Sequence, residues 1–421
     1  MKGSRHSATL RAGQDVLAPL CSVVVARRTL LLMALTAAAL FAHVAPAPAP
    51  ILSGVSGNAF YTPPKPMPGK VHGDAIWIRS EPEPDALTSA ARNQLLLYRS
   101  TGVNGKPVAV SGLVHLPKGK APRGGWPIVS WAHATSGLGD QCAPSRNPGE
   151  GAINAYHVYI EGLLNRWLDA GFAVVRTDYE GLGTKGVHPY GIGRSEGRAV
   201  LDMVRAARQA HRSLGRRLVI GGHSQGGHAA LFAAALAPKY TPELQLRGTA
   251  TFAPFAQGDE IFRALSASDQ PSRVSGYAAI FARGIDAAHP KLKVPALLSE
   301  RGKELYPLTL SGCIPEITAP ESEFASTAPR DLFAPGADLD PAAEVLAQND
   351  PTDLRVTTPV LVEQGTADTT VLPSLTDAMV KGLRKRGAKV TYKVHENVDH
   401  TTIAFGESQD EAFSWVAKRL K

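Results

Sequence analysis

The sequence predicts an α/β architecture: a mostly parallel central sheet with helices on both faces and an inserted helical cap. Three observations carry this. From about residue 93 onward, short apolar strand-like runs alternate with stretches of helical period. The run Leu218-Val219-Ile220 feeds directly into Gly222-His223-Ser224-Gln225-Gly226, which fits G-x-S-x-G, and small helix-forming residues follow. One long segment, between Phe252 and Pro359, breaks the rhythm. With 421 residues, 44% of them hydrophobic and 19% charged, the chain can bury a large core.

Taken in order, residues 95–98, 108–116 and 128–132 are strand-like, and the first two are spaced closely enough for an antiparallel edge. A helical stretch at 163–170 precedes the strand 172–177, and a longer helix at 196–211 precedes the strand 218–221. Behind the G-x-S-x-G turn, residues 227–237 read as a helix ended by Pro238, whose small side chains permit close packing on the sheet. Strands at 248–252, 360–362 and 390–394 and a helix at 407–420 complete the series. The intervening segment holds short helical pieces such as 277–282. A structureless loop of that length is improbable in a compact domain, so residues 256–347 are expected to form a cap.

The N-terminus carries Arg27-Arg28 and then a short apolar core at 29–42, the pattern of a secretory signal and too short for an ordinary membrane span. The expected organisation is a signal peptide over 1–45 with an over-extended start, a Pro-rich linker over 46–70, and a domain over 71–421. The protein is therefore expected to be secreted or periplasmic. The formal charge is +8, but residues 1–45 hold Lys2, Arg5, Arg11, Arg27 and Arg28 against Asp15, so half of the excess leaves with the signal. No long basic run remains beyond Arg384-Lys385-Arg386, and nucleic acid is not an expected partner. Loss of Cys21 leaves Cys142 and Cys313, an even pair in an oxidising compartment, which favours a disulfide. No zinc-ligand spacing occurs.

A serine hydroxyl needs a base, and the base needs an acid to hold its tautomer. Where a G-x-S-x-G turn carries the nucleophile, the chain order is Ser, then Asp or Glu, then His, each after a later strand. Ser224, Asp368 and His400 occupy those places. His395 is the competing base; Asp399 and Asp377 are weaker competitors for the acid, Asp377 reading as solvated within a helix. His228, one turn beyond Ser224, reads as a packing or supporting residue. The oxyanion of acyl transfer requires fixed donors, expected from the amides of Gln225 and of Thr135, with Ala134 the next choice. Gly181-Leu182-Gly183-Thr184-Lys185-Gly186 fits G-x-G-x-x-G, but no helix starts there, so a dinucleotide site is not expected.

With Trp131-Ala132-His133-Ala134-Thr135, Asp178-Tyr179-Glu180-Gly181-Leu182-Gly183, residues 199–207 and Gly222 to His228 assembled, the chain resembles the secretory lipases of bacteria and fungi, the lipase A type within the α/β-hydrolases. The likeness runs from about Tyr61 to the C-terminus. It implies a carboxylic ester hydrolase with Ser224 as nucleophile, Asp368 as acid, His400 as base and a cap before the strand carrying the acid. Ala134 departs from the glycine that related loops often carry. The resemblance makes Asp178-Tyr179-Glu180 structural. The expected substrate is a small-molecule or lipid ester, with transient contact at a lipid interface and neither cofactor nor metal. A serine peptidase on the same fold and a non-catalytic hydrolase-like binding protein are the alternatives.

Overall fold

The computed structural model describes residues 51–80 and 86–421. The signal expected over 1–45 lies outside them. Strands β1 (Leu52–Ser53), β2 (Ala75–Ser80), β3 (Ala90–Thr101), β4 (Pro107–Pro117), β5 (Trp126–Ala132), β6 (Ala173–Thr177), β7 (Leu214–His223), β8 (Gln245–Phe252), β9 (Val360–Gly365) and β10 (Val390–His395) form one sheet. Its order is β1-β2-β3-β4-β6-β5-β7-β8-β9-β10. The pairs β2/β3, β3/β4 and β4/β6 are antiparallel, and every other neighbouring pair is parallel. The antiparallel edge follows from the short connections among β2, β3 and β4, whereas parallel neighbours need helical crossovers.

Period-two alternation sends successive side chains to opposite faces. Ile128, Leu218 and Ile220 join the core under the helices Gly193–Ala210 and Gln225–Tyr240, while Val129, Trp131 and Val219 join the core under Glu161–Asp169 and Gly406–Leu420. In Gly193–Ala210 the apolar residues Val200, Met203, Val204 and Ala207 recur at helical spacing and are fully buried. Val200, Met203 and Val204 each contribute roughly 1.5–3 kcal/mol on leaving water.

The helix after the G-x-S-x-G turn, Gln225–Tyr240, ends three residues later than expected, with Pro238 inside its last turn. Proline there removes only one late backbone donor, and the Thr241 amide still closes on the Ala237 carbonyl at 3.0 Å. The spacer expected over 46–70 ends early. From Leu52 the chain pairs with β2, and Phe60 and Tyr61 are buried against it, Trp77 donating to the Phe60 carbonyl. The chain leaves the sheet after β8 and returns at β9. Between them lie the helices Gly258–Ala267, Gly276–Ala288 and Asp340–Ala347 with shorter pieces, packed around a separate core that includes Phe262, Ile280, Phe281, Ile285 and Phe333. The piece expected at 277–282 is part of a thirteen-residue helix.

Cys142 and Cys313 are bonded. The tie is reinforced by an isolated bridge between Gly137 and Cys313 and by the Ile314 amide donating to the Ser136 carbonyl at 2.9 Å. The loop after β5 is thus fastened to the cap.

Candidate active site

In this strand order the sequence steps from β5 to β6 on one side and then to β7 on the other. The loops leaving the carboxyl ends of β5 and β7 therefore diverge and open a crevice, the usual ligand position in open α/β sheets. Ser224 follows β7 at that end. Its backbone sits at φ 56°, ψ −118°, a region that costs a non-glycine residue about 1–3 kcal/mol. The turn is held by the Ser224 amide on the Phe252 carbonyl at 2.9 Å and by the amides of His228 and Phe255 on the Ser224 carbonyl at 3.1 and 3.0 Å. The flanking glycines are steric necessities. A Cβ on Gly222 would lie 2.2 Å from the Gly226 oxygen, and one on Gly226 would lie 2.0 Å from the Ala132 oxygen.

The loops after β9 and β10 bring the other two residues to the serine. His400 Nε2 is 2.9 Å from Ser224 Oγ, and His400 Nδ1 is 2.7 Å from Asp368 Oδ2. Asp368 also accepts from the amides of Thr370 and Val371, both at 2.8 Å, and from Gln364 Nε2 at 3.2 Å. Burial alone would raise the Asp368 carboxyl. The hydrogen bond and charge of His400, with those two amides, outweigh it and hold the group below its ordinary value. Asp368 is buried, while Ser224 and His400 retain partial access.

The competitors are engaged elsewhere. His395 Nε2 is 2.7 Å from Glu363. Asp399 accepts from the amides of Thr401 and Thr402 at 2.9 and 2.8 Å in an exposed turn. Asp377 is half-buried rather than solvated and accepts from the Tyr392 hydroxyl at 2.7 Å. Asp178 and Glu180 are structural: Asp178 accepts from Ser111 Oγ at 2.6 Å and the Ser145 amide at 3.0 Å, and Glu180 accepts from the Val103 amide at 3.0 Å and from Ser195. Residues 181–186 form turns, and the next helix begins only at Gly193.

Residues 133–135 follow β5 and abut the start of the helix that follows Ser224, as the Gly226 contact shows. The Tyr179 hydroxyl donates to the His133 carbonyl at 2.9 Å, and Thr135 Oγ1 pairs with the Tyr190 hydroxyl at 2.9 Å. His133 Nδ1 faces the Ala134 carbonyl at 2.6 Å, so that nitrogen carries the proton. Burial lowers the His133 ring to about 3, leaving it neutral.

Beneath Gln225 lies a polar network that sequence reasoning did not assemble. Gln225 Nε2 donates to Glu196 Oε1 at 2.8 Å and to His188 Nε2 at 2.7 Å. His228 Nδ1 is 2.8 Å from Glu196 Oε2, and its Nε2 is 2.7 Å from the Asn349 carbonyl. Both ring nitrogens face acceptors, so His228 is the imidazolium partner of a buried Glu196 carboxylate. Burial opposes both charges, but the mutual hydrogen bond and attraction raise His228 and lower Glu196. The available signal was Glu196 itself, a charge on the same helical stripe as Val200, Met203 and Ala207.

His223 has a second unforeseen role. Its Nε2 donates to the His400 carbonyl at 2.8 Å while Nδ1 accepts from the Tyr159 hydroxyl at 2.9 Å. Burial, aided by the charge of His400, lowers His223 to about 3 and keeps it neutral for this bridge.

A cavity of about 180 Å³ leads from Ser224 between the cap and the loop after β9, lined by Ile261, Leu265, Tyr277, Phe281, Leu372 and Leu375 among others. None of its lining residues is charged. Phe281 faces it, whereas its neighbour Ile280 is fully buried in the cap core. Among the described residues, one group has metal-ligand spacing, Glu363, His395 and Glu411, with donor atoms within 4.8 Å of one another. His395 Nε2 lies 2.7 Å from Glu363 and Lys393 Nζ lies 3.0 Å from Glu411, so both carboxylates already have side-chain partners.

This sheet, turn and cap define an α/β-hydrolase. The chain belongs to the secretory lipase family, whose pattern it matches over residues 152–421. It is 27% identical over 373 residues to the Probable inactive lipase of Mycobacterium tuberculosis, covering 83% of this chain and 78% of that protein. It is also 27% identical to Lipase A of Moesziomyces aphidis and 30% identical to a secreted triacylglycerol lipase of Malassezia furfur, covering 62% and 64% of this chain but only 56% and 51% of those proteins. Among solved structures it resembles Candida antarctica lipase A with a TM-score of 0.74 at 21% identity, over 86% of this chain and 88% of that one. Export accords with the family. Among the described residues no helix is long and apolar enough to cross a membrane.

Proposed function

We propose that the protein is a secreted serine hydrolase that cleaves carboxylic esters with an apolar acyl group, acylglycerols among them. The observation that carries this reading is the continuous hydrogen-bonded chain from Ser224 through His400 to Asp368 at the mouth of an uncharged cavity. Ser224 Oγ attacks the ester carbonyl as His400 Nε2 takes its proton, and Asp368 stabilises the imidazolium that forms. The developing oxyanion is met by the amides of Gln225 and Thr135, with Ala134 adjacent. Gln225 is locked by Glu196 and His188, and Thr135 by Tyr190. His400 then protonates the leaving alcohol, and water activated by the same ring releases the acid.

The uncharged lining favours an ester over a substrate whose free amine would need an acidic partner. Leu372, at the cavity and 48% exposed, suits brief contact with a lipid surface. A fluorophosphonate probe should label Ser224, located by peptide mass spectrometry, and Ser224→Ala should abolish both labelling and turnover of nitrophenyl esters. Absence of labelling in the folded protein would favour a non-catalytic role, as the name of the mycobacterial relative raises for that protein. Faster turnover of aminoacyl arylamides than of esters would favour a peptidase.

A further inference from the structure

The two amides proposed to meet the oxyanion leave different strands, Gln225 after β7 and Thr135 after β5, yet one short segment, residues 188–191, touches both residues. His188 Nε2 accepts from Gln225 Nε2 at 2.7 Å, and the Tyr190 hydroxyl pairs with Thr135 Oγ1 at 2.9 Å. The segment is fastened in turn. His188 Nδ1 donates to the Glu180 carbonyl at 2.9 Å, and the Gly191 amide donates to Glu196 Oε1 at 3.1 Å. Burial lowers His188, which keeps the ring neutral and leaves its Nε2 free to accept.

Tyr190 also reaches the other half of the site. It lines the cavity alongside Ser224, and its ring centroid lies 5.2 Å from that of Phe281 and 6.4 Å from that of Phe255, both of them cavity residues. Its backbone is packed against the cap, since a Cβ on Gly284 would lie 2.7 Å from both the nitrogen and the oxygen of Tyr190. A side chain that borders an empty cavity lacks dispersion partners there, and an apolar chain in the cavity supplies them.

We propose that Tyr190 is a positioning residue that couples the acyl site to the oxyanion hole: an acyl chain long enough to pack against it steadies its hydroxyl on Thr135 and so fixes the oxyanion donor. The inference rests on the reading of Ser224 as an ester-cleaving nucleophile with Thr135 as a donor. Binding energy of the acyl chain, remote from the reacting carbon, is then expressed in the transition state. Chain length is accordingly read in kcat as well as in KM.

The test measures kcat and KM for nitrophenyl acetate and nitrophenyl hexanoate on the full protein and on Tyr190→Phe, which keeps the ring and deletes the hydroxyl. In the parent, kcat should be about five- to tenfold higher on hexanoate than on acetate, a part of the roughly hundredfold that a misplacement of about 1 Å costs. In Tyr190→Phe the two kcat values should come within about twofold, while KM should still fall with chain length as in the parent. Thr135→Val should give the same flattening, and the double variant should add nothing to it, since both changes remove one interaction. Each single variant also leaves one buried hydroxyl without its partner and should lower Tm, which the double variant should regain. The double variant carries the test where a single variant fails to fold. A purely structural role would bring the kcat ratio back together with Tm, whereas the positioning role leaves it flat. A parent kcat that does not depend on chain length, a ratio in Tyr190→Phe equal to that of the parent, or a ratio that recovers in the double variant would overturn the inference. A folded parent that hydrolyses neither ester would instead overturn the reading of Ser224 on which it rests.

Discussion

Adding one methyl group at Gly226 should damage catalysis far more than its size suggests. The new Cβ would lie 2.0 Å from the Ala132 oxygen, 2.5 Å from the Ala132 carbonyl carbon and 2.7 Å from the His133 oxygen. All three are backbone atoms at the end of a central strand, so no side chain can swing aside. Restoring an ordinary contact of 3.4 Å requires a relative displacement of about 1.4 Å between the start of the nucleophile helix and β5. That displacement separates the Gln225 amide from the Thr135 amide, the two donors assigned to the oxyanion. A misplacement of about 1 Å costs on the order of a hundredfold in rate, or about 2.7 kcal/mol of barrier. Overpacking should add a stability loss of about 1–3 kcal/mol. Gly162→Ala is the control: it is exposed on a helix with nothing within 4 Å of the new Cβ, and it should stabilise by up to about 1 kcal/mol with unchanged turnover. Initial rates on nitrophenyl butyrate, with urea unfolding of each variant, provide the readout. A Gly226→Ala protein with kcat within threefold of the parent would refute the reasoning.

Asp368→Asn should lower kcat by about 10³–10⁴-fold through the wrong His400 tautomer, while Asp399→Asn should stay within threefold. Glu363 is raised by burial to about 7 from 4.5. The folded state therefore holds an extra proton between those values, and this contribution to stability falls as pH rises from about 4.5 to 7. Glu363→Gln should remove that dependence, so its urea-unfolding free energy should gain on the parent by up to about 3 kcal/mol between pH 5 and 8. Converting Cys142 and Cys313 to alanine should cost about 4–5 kcal/mol in the chain-entropy account, read as a fall in Tm matched by reductant on the parent. Leu265→Trp should fill the cavity, suppressing turnover of long acyl esters at least tenfold relative to acetate; an unchanged acyl-length profile would place the acyl site elsewhere.

The features legible in the sequence were those governed by short-range periodicity or chain order. The turn at Ser224 could be read because strand, glycines and helix are contiguous, and Asp368 and His400 because each follows a strand at a fixed remove. The Glu196, His188, Gln225 and His228 network could not be assembled, because its partners come from separate elements and no spacing rule joins them. The role of Phe281 rather than Ile280 at the cavity depends on which side of Gly276–Ala288 faces the site. Both are apolar, so composition does not distinguish them. Pro238 misled by signalling a helix end where its position in the last turn made it tolerable.

The hydrogen bond from His223 to the His400 backbone gives the fold an insulating property. The neighbour of Ser224 grips the loop that carries His400, although the whole cap and three strands, β8, β9 and β10, intervene along the chain. The Ser224 to His400 distance is therefore set locally and does not accumulate error through the intervening polypeptide. The insertion can lengthen, shorten or be recomposed over evolutionary time while the reacting atoms keep their separation. Substrate preference and chemical competence are thereby free to change on different schedules.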